Sequence, residues 1–520
     1  MITMAGDLWE ELRTTALLGT DRRPLPEPAE GSALAAAAGA VDRTDPAVAL
    51  LALAALAAVR RRAGLLPAEA PPAAPPAGAD ERRCLPQAAA RRLAVLVAGR
   101  TGGAAAANLT ELLPQWLALA RERGYRLPAE QVPVLLDAAR ARSELRADVV
   151  ALAGPLGHWL AERNPDWRYV LRTVTESLPG DPAQVWQEGL FAERVTHLTR
   201  LRRRDPGAAL ELLATTWPSE RAEDRLLFLD ALQEGLSEAD EPFLEAALGD
   251  RSKNVRTTAA ELLSTLPGSA LGERMAERAR AAVRFVDGRL VVDAPAACDQ
   301  AMQRDGIPLR SPTGRDEQSW WFGEIVAATP LRTWTAELGR TPAQLLAVPV
   351  VDGGAGRVGW RQDLREAWSR AAVRQQDAAW ARALLGPAPR RAGAAQPAGA
   401  PAKLLAVLPP AERSAWTAAF LQSHGLGDAF QLLGACATPW TPPLSTAVIA
   451  ALERAAASGA YPWSHSGVLG MTERSLAPAT APAVEALAAD AVPDTAWAET
   501  FGRLAGTLRF RAQMLAELAG

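Results

Sequence analysis

The chain has 520 residues, 49% of them hydrophobic and 22% charged, with a formal net charge of −3. Such a length sustains several domains or one long array, and buries about three quarters of the unfolded surface. A balance so near neutrality gives no global electrostatic case for nucleic acid or an anionic membrane.

Cys84, Cys298 and Cys436 are isolated, without a CxxC pair, which argues for a reducing compartment and against a disulfide framework. Asp7, Glu10 and Glu11 precede any apolar run, unlike a signal peptide. The most apolar segment, 47–59, falls short of the roughly 20 residues of a membrane helix and reads as a buried core helix despite Arg60, Arg61 and Arg62. Together these features predict a cytoplasmic protein.

Taken in chain order, a first helix is predicted over 7–18, stopped by Gly19, with Thr20 to Pro26 leaving it as an extended arm. Helices follow at about 46–62, 86–98, 105–122, 129–141 and 144–153, with a low-complexity Pro/Ala spacer at 67–79. From Asp181 the pattern becomes regular: 182–203, 206–216, 219–235, 241–248, 252–266 and 269–284, joined by short turns. The run from Phe285 to Val292 is read as a short hairpin around Asp287-Gly288, the single plausible strand pair. A helix containing Trp320, Trp321, Ile325 and Val326 comes next, then one or two helices over 360–385. A second spacer, Pro387 to Ala402, precedes helices at 410–424, 443–457, 480–490 and 494–519, the last expected to break near Gly506.

Residues 240–267 carry the clearest single unit. Asp240 is placed as an N-cap and Pro242 in the first turn, where a missing N–H costs nothing. Phe243, Leu244, Ala247 and Leu248 form one apolar face, and Gly249 is the expected stop. Ser252 is the expected cap of a second helix, with Val255, Ala259, Leu262, Leu263 and Leu266 as its buried stripe. Such a unit covers only one side of each helix and needs neighbours to complete its interior.

Motifs that would carry chemistry are sparse. Gly354 to Gly359 spells GxGxxG after Val348 to Asp352, but Pro349 interrupts the strand and no βαβ alternation surrounds it, so a glycine loop is the better account. No GxxxxGK[ST] loop occurs. His158, His197, His424 and His465 have no ligand spacing, and Ser466 lacks a nucleophile elbow. Neither cofactor nor metal is expected. Arg200, Arg202, Arg203 and Arg204 form the densest basic cluster, read chiefly as a solvated helix end. Between Glu188 and Arg284 there are 14 basic and 17 acidic residues, 14 − 17 = −3, the wrong sign for a DNA groove. Most of the sixteen tryptophans fall in apolar stripes and read as core. Trp320 and Trp321 differ: adjacent helical side chains diverge by about 100°, so one of them is a candidate partner anchor.

The unit at 240–267 resembles a HEAT repeat, through Pro242, Asp250 in the turn, Val255-Arg256 and the Ala-Ala-x-Leu-Leu run. The resemblance implies that Asp250 and Arg256 tie adjacent units by charge-assisted hydrogen bonds. Further strings, Trp9 to Pro24 with Arg22 and Arg23, Asn164 to Val170, and Leu508 to Arg511, resemble an uncharacterised bacterial family of large helical proteins. That family is often encoded beside a MoxR-type AAA+ ATPase, a SWIM zinc-finger protein and a von Willebrand factor A-domain protein. The resemblance therefore implies a partner role in an ATPase-driven assembly.

The expected architecture is all-α: an N-terminal helical region to residue 165, a HEAT-like array or α-solenoid over 166–284, an irregular helical region over 285–385, a linker over 386–402 and helices over 403–520. The expected function is a non-catalytic scaffold or adaptor, with Trp320, Trp321, Arg22 and Arg23 as partner-binding candidates and Asp250, Val255 and Arg256 as repeat residues. The competing expectation is a HEAT-like DNA glycosylase, with Arg200 to Arg204 meeting phosphate.

Overall fold

Apolar residues recurring at three- and four-residue intervals build helices along nearly the whole chain. A computed structural model describes residues 8–28, 33–62, 74–98, 109–174, 182–354, 359–389 and 400–519. Among them run twenty-eight α-helices and a single three-stranded sheet, so the protein is all-α.

The chain divides into two compact units, 1–77 and 78–520. The division falls within the Pro/Ala spacer, of which 67–73 lies outside the described residues. The boundaries expected at 165, 284 and 386–402 all lie inside the second unit. In the first unit, helices Leu8–Leu18, Ala33–Gly39 and Pro46–Arg62 meet over a small core of Leu12, Ala38, Leu53 and Ala57. Its first helix ends as expected at Gly19, whose φ of +90° suits glycine. The N–H groups of Arg22 and Arg23 then donate to the Gly19 carbonyl at 3.1 and 3.2 Å, so a turn intervenes before the chain extends.

The second unit holds two cores. One gathers Leu93, Trp116, Leu135 and Val149 with Met514 and Leu518. The other runs from Trp186 to Leu508. Helix Ala496–Ala519 contributes to both and continues through Gly506 without a break. Each helical glycine, Gly502 as well as Gly506, costs about 1 kcal/mol, which the buried side chains along this helix offset. Arg92 fixes its far end, donating to Glu517 at 2.6 Å while its guanidinium lies 4.4 Å over the Phe510 ring.

The helix expected over 182–203 is two, Pro182–Glu188 and Phe191–Arg204. A Cβ at Gly189 would stand 2.3 Å from the Val185 carbonyl, a close approach that glycine alone permits. The region 360–385 also resolves into two helices, Trp360–Arg374 and Ala378–Leu385. Helix Arg146–Ala161 outlasts its expected end at 153 and kinks at Gly154 (φ +54°), on which the Asp80–Arg82 ion pair rests. There a Cβ would meet Arg82 Nη2 at 2.2 Å.

Strands β1 (Val283–Val286) and β2 (Arg289–Val292) form the expected hairpin, with Asp287 and Gly288 both at positive φ. A third strand, β3 (Val350–Asp352), pairs parallel to β2. Pro349 sits just before β3 and its carbonyl accepts from Leu290 N–H at 2.9 Å, so its missing donor is never needed. Of the GxGxxG string, 355–358 lies outside the described residues.

In the 240–267 unit, Val255, Ala259, Leu262, Leu263 and Leu266 are buried. The capping differs from expectation. Ser237 precedes a 3₁₀ turn, Glu238–Asp240, and its N–H donates to the Asp240 carboxylate at 2.9 Å. Ser252 makes no side-chain cap; its N–H donates to Asp250 at 2.7 Å. Gly249 is not in the left-handed region.

A succession of acid–arginine pairs runs through the packed helices here. Arg194 pairs with Glu220, Arg202 with Asp240, Arg225 with Asp250, and Arg274 and Arg278 with Asp305. Each arginine reaches an acid 26 to 38 residues onward, or 25 for Asp250, so the pairs join successive helix–turn units. Asp250 is thus held by Arg225, with Nε 3.1 Å from Oδ2, and not by Arg256. Arg256 donates instead to the Asp250 main-chain carbonyl at 2.7 Å. One turn of helix brings Arg256 back over its own turn, whereas Arg225 approaches from the neighbouring helix Ala222–Ala231 and reaches the carboxylate.

Candidate functional site

Helix Trp360–Arg374 has two unlike faces. Trp360, Leu364, Ala367, Trp368 and Ala371 are buried. Trp360 meets Phe322 edge-on at 5.2 Å, and Trp368 lies between Trp334 (5.6 Å) and Trp380 (5.1 Å). These contacts set the helix rotation. Glu366, Arg370 and Arg374, spaced by four, then form a stripe on another face.

That stripe lines a cleft of about 740 Å³. Helix Glu317–Ala328 contributes Trp320, helix Pro401–Val407 contributes Lys403 and Leu404, and the preceding loop contributes Thr313 and Arg315. Arg315 is committed to Glu366 at 2.5 Å, and that contact raises the Arg315 pKa. Burial pushes the Glu366 carboxyl up, but hydrogen bonds from Arg315 and Gln362 outweigh it and hold the group below its usual range. Arg370 pairs with Glu324 and donates to the Gly323 carbonyl at 2.7 Å. A Cβ at Gly323 would stand 3.0 Å from that guanidinium, so glycine allows the approach.

Arg374 has no hydrogen-bond or ion-pair partner among the described residues. Its guanidinium pKa is lowered, chiefly by burial; Glu324 and Glu261 pull it back up and Arg370 pushes it down. A smaller pocket of about 230 Å³, bounded by Glu261, Asp305 and Glu324, shares Trp320, Arg370 and Arg374 as walls.

Trp320 and Trp321 do point into different seams. Trp321 is 5% exposed and donates its indole N–H to the Leu309 carbonyl at 3.1 Å, so it is core and no partner anchor. Trp320 is half-buried at the cleft wall. Arg22 is exposed and Arg23 half-buried in the first unit. Arg202 is fully buried: its guanidinium donates to both Asp240 oxygens (2.7 and 3.0 Å) and to the carbonyls of Pro206, Leu232 and Glu234. It is unavailable to phosphate.

Sequence reasoning overlooked an exposed aromatic pair. Tyr461 and Trp463 are 65% and 74% exposed and stack at 6.2 Å between centroids, on the turn Pro462–His465. Trp497 holds that turn by donating to the Ala460 carbonyl at 2.6 Å. The other fifteen tryptophans are buried or half-buried. Phe430, also exposed, lies against helix Ser466–Ser475, its ring 2.9 Å from where a Cβ on Gly467 would be. The signal was present in Tyr461-Pro-Trp463: aromatic residues outside any apolar stripe, beside a proline.

Among the described residues no group of three or more His, Cys, Asp or Glu side chains could hold a metal ion. His158 bonds the Gly154 carbonyl, and His424 stacks on Phe420 at 4.0 Å. Among the same residues no helix is long and apolar enough to cross a membrane.

Fold and site define an all-α protein with a basic cleft and, at Tyr461 and Trp463, an exposed aromatic pair. Residues 11–518 match a single family model, and the chain belongs to DUF5691, described as a family of unknown function. No curated protein matches it. No solved structure matches it.

Proposed function

We propose that this protein is a non-catalytic scaffold or adaptor whose work is to hold partner proteins, built on a HEAT-like stack of helix pairs. The Tyr461–Trp463 pair carries this reading. Two large rings kept in water beside a turn that Trp497 holds expose apolar surface, and tryptophan and tyrosine are enriched at interface hot spots. The acid–arginine pairs joining successive helix–turn units support the HEAT-like part of the reading. The partners we propose, from the family resemblance, are a MoxR-type AAA+ ATPase and a von Willebrand A-domain protein, met in the cytoplasm. The docking face is centred on Trp463 and flanked by Phe430. Trp320 borders the basic cleft and has a separate use.

Purified protein should capture one of these two partners. The double substitution Tyr461→Ala/Trp463→Ala should weaken capture about thirtyfold or more, the loss typical of hot-spot rings. The melting temperature should stay unchanged, because both rings lie outside the core. Equal capture by wild type and double variant, or no capture of either partner, would remove the reading.

A further inference from the structure

We propose that the cleft between helices Glu317–Ala328, Trp360–Arg374 and Pro401–Val407 binds a phosphate-bearing small molecule, with the phosphate between Arg374 and Lys403 and an apolar or aromatic body against Trp320, Val373 and Leu404.

Charge accounting leads to this ligand. Five charged side chains line the cleft: Arg315, Arg370, Arg374, Lys403 and Glu366. Arg315 is neutralised by Glu366, and Arg370 by Glu324 from the adjoining wall. Arg374 and Lys403 remain, two cations without acceptors among the described residues. A guanidinium carries five donors, and Arg374, half-buried at the wall, keeps them open to the cleft although Glu324 and Glu261 lie near enough to act on its charge. An anion entering the cleft therefore meets a guanidinium that no acceptor among the described residues occupies. A phosphate monoester carries close to two negative charges at neutral pH and offers acceptors to a guanidinium fork and an ammonium together.

Size and wall chemistry agree. A cleft of about 740 Å³ falls within the span usual for small-molecule sites, which pair largely apolar walls with a few placed polar groups. Trp320, Val373 and Leu404 supply the apolar wall, and Lys403 stands exposed at the rim where it can meet an incoming anion. Lys403 is one of only two lysines in a chain of net charge −3, so this basic spot is local and not part of a general field. The site is separate from the Tyr461–Trp463 face, and neither proposal depends on the other.

The test is calorimetric titration of the full chain with adenosine monophosphate, inorganic phosphate and succinate. Saturable one-to-one binding of the nucleotide, weaker binding of phosphate and still weaker binding of succinate is expected. Arg374→Met should weaken nucleotide binding roughly tenfold or more, the loss expected for a charge-assisted contact, and Lys403→Met should weaken it less. Because Lys403 is exposed, its variant remains informative if Arg374→Met misfolds. The proposal is overturned if neither nucleotide nor phosphate binds by about 10 mM. It is equally overturned if succinate matches the nucleotide, or if both variants bind as the wild type does.

Discussion

Arg202, fully buried, and Arg374, half-buried on a cleft wall, belong to the same unit and are treated in opposite ways. Arg202 is surrounded by acceptors: two carboxylate oxygens and three main-chain carbonyls take its donors. Two of these carbonyls, Leu232 and Glu234, follow the end of helix Ala222–Ala231, where no further helical N–H reaches them. Arg374, on the wall of a cleft, has none of this among the described residues. A satisfied interior cation ties together the helices whose acceptors it takes, whereas a half-buried one on a cavity wall ties nothing.

Breaking the satisfied side should have the largest effect. Asp240→Ala leaves Arg202 enclosed without its counter-ion and should cost about 3–5 kcal/mol of stability in urea unfolding. A loss below about 1 kcal/mol would mean that the three carbonyls suffice alone. Arg225→Ala, which strands Asp250, should come next at about 3 kcal/mol, whereas Arg256→Ala removes a partly exposed bond to a carbonyl and should cost about 1 kcal/mol. Equal losses would return Arg256 to the role that the repeat resemblance implied.

Acid titration sharpens the same contrast. Burial raises the Glu220 carboxyl, but hydrogen bonds from Arg194 and Thr216 and the charges of Arg194 and Arg225 outweigh it and leave the group below its ordinary value of 4.5. A depressed folded value means that its stabilisation is complete above about pH 4.5 and fades as pH falls through the folded value. Glu220→Gln should therefore be the less stable protein at pH 7 and draw level with wild type in strong acid. Parallel stability curves from pH 7 to pH 3 would break the argument. The smallest effect belongs to the unsatisfied side: Arg374→Met should change stability by less than about 0.5 kcal/mol, or raise it, since a desolvated charge disappears and no bond is lost. A large destabilisation would reveal Arg374 as one more structural arginine.

Helix periodicity was legible wherever one face is buried, which is why Val255, Ala259 and Leu263 were placed as core directly from their spacing. Positions set by distant neighbours were not. Asp250 chooses between Arg225 and Arg256 by the packing of a different helix, and Gly506 is tolerated because one face of its helix is buried against two cores. Strand β3 was hidden by Pro349, whose cost vanishes once it falls at the strand's first edge. The two tryptophans at 320 and 321 were read correctly as diverging, yet which of them meets the cleft depends on the loop around Leu309. Arg374 could be seen only as the third member of a four-residue spacing; that it lacks an acid is a property of three dimensions.

Helix Ala496–Ala519 places Met514 and Leu518 into an interior otherwise built from residues 85–170. A ribosome therefore releases that early segment with a greasy slot still open, and more than three hundred further residues must emerge before its plug arrives. Until then the nascent chain presents a surface that chaperones bind and proteases find, so prematurely terminated copies carry their own mark for disposal.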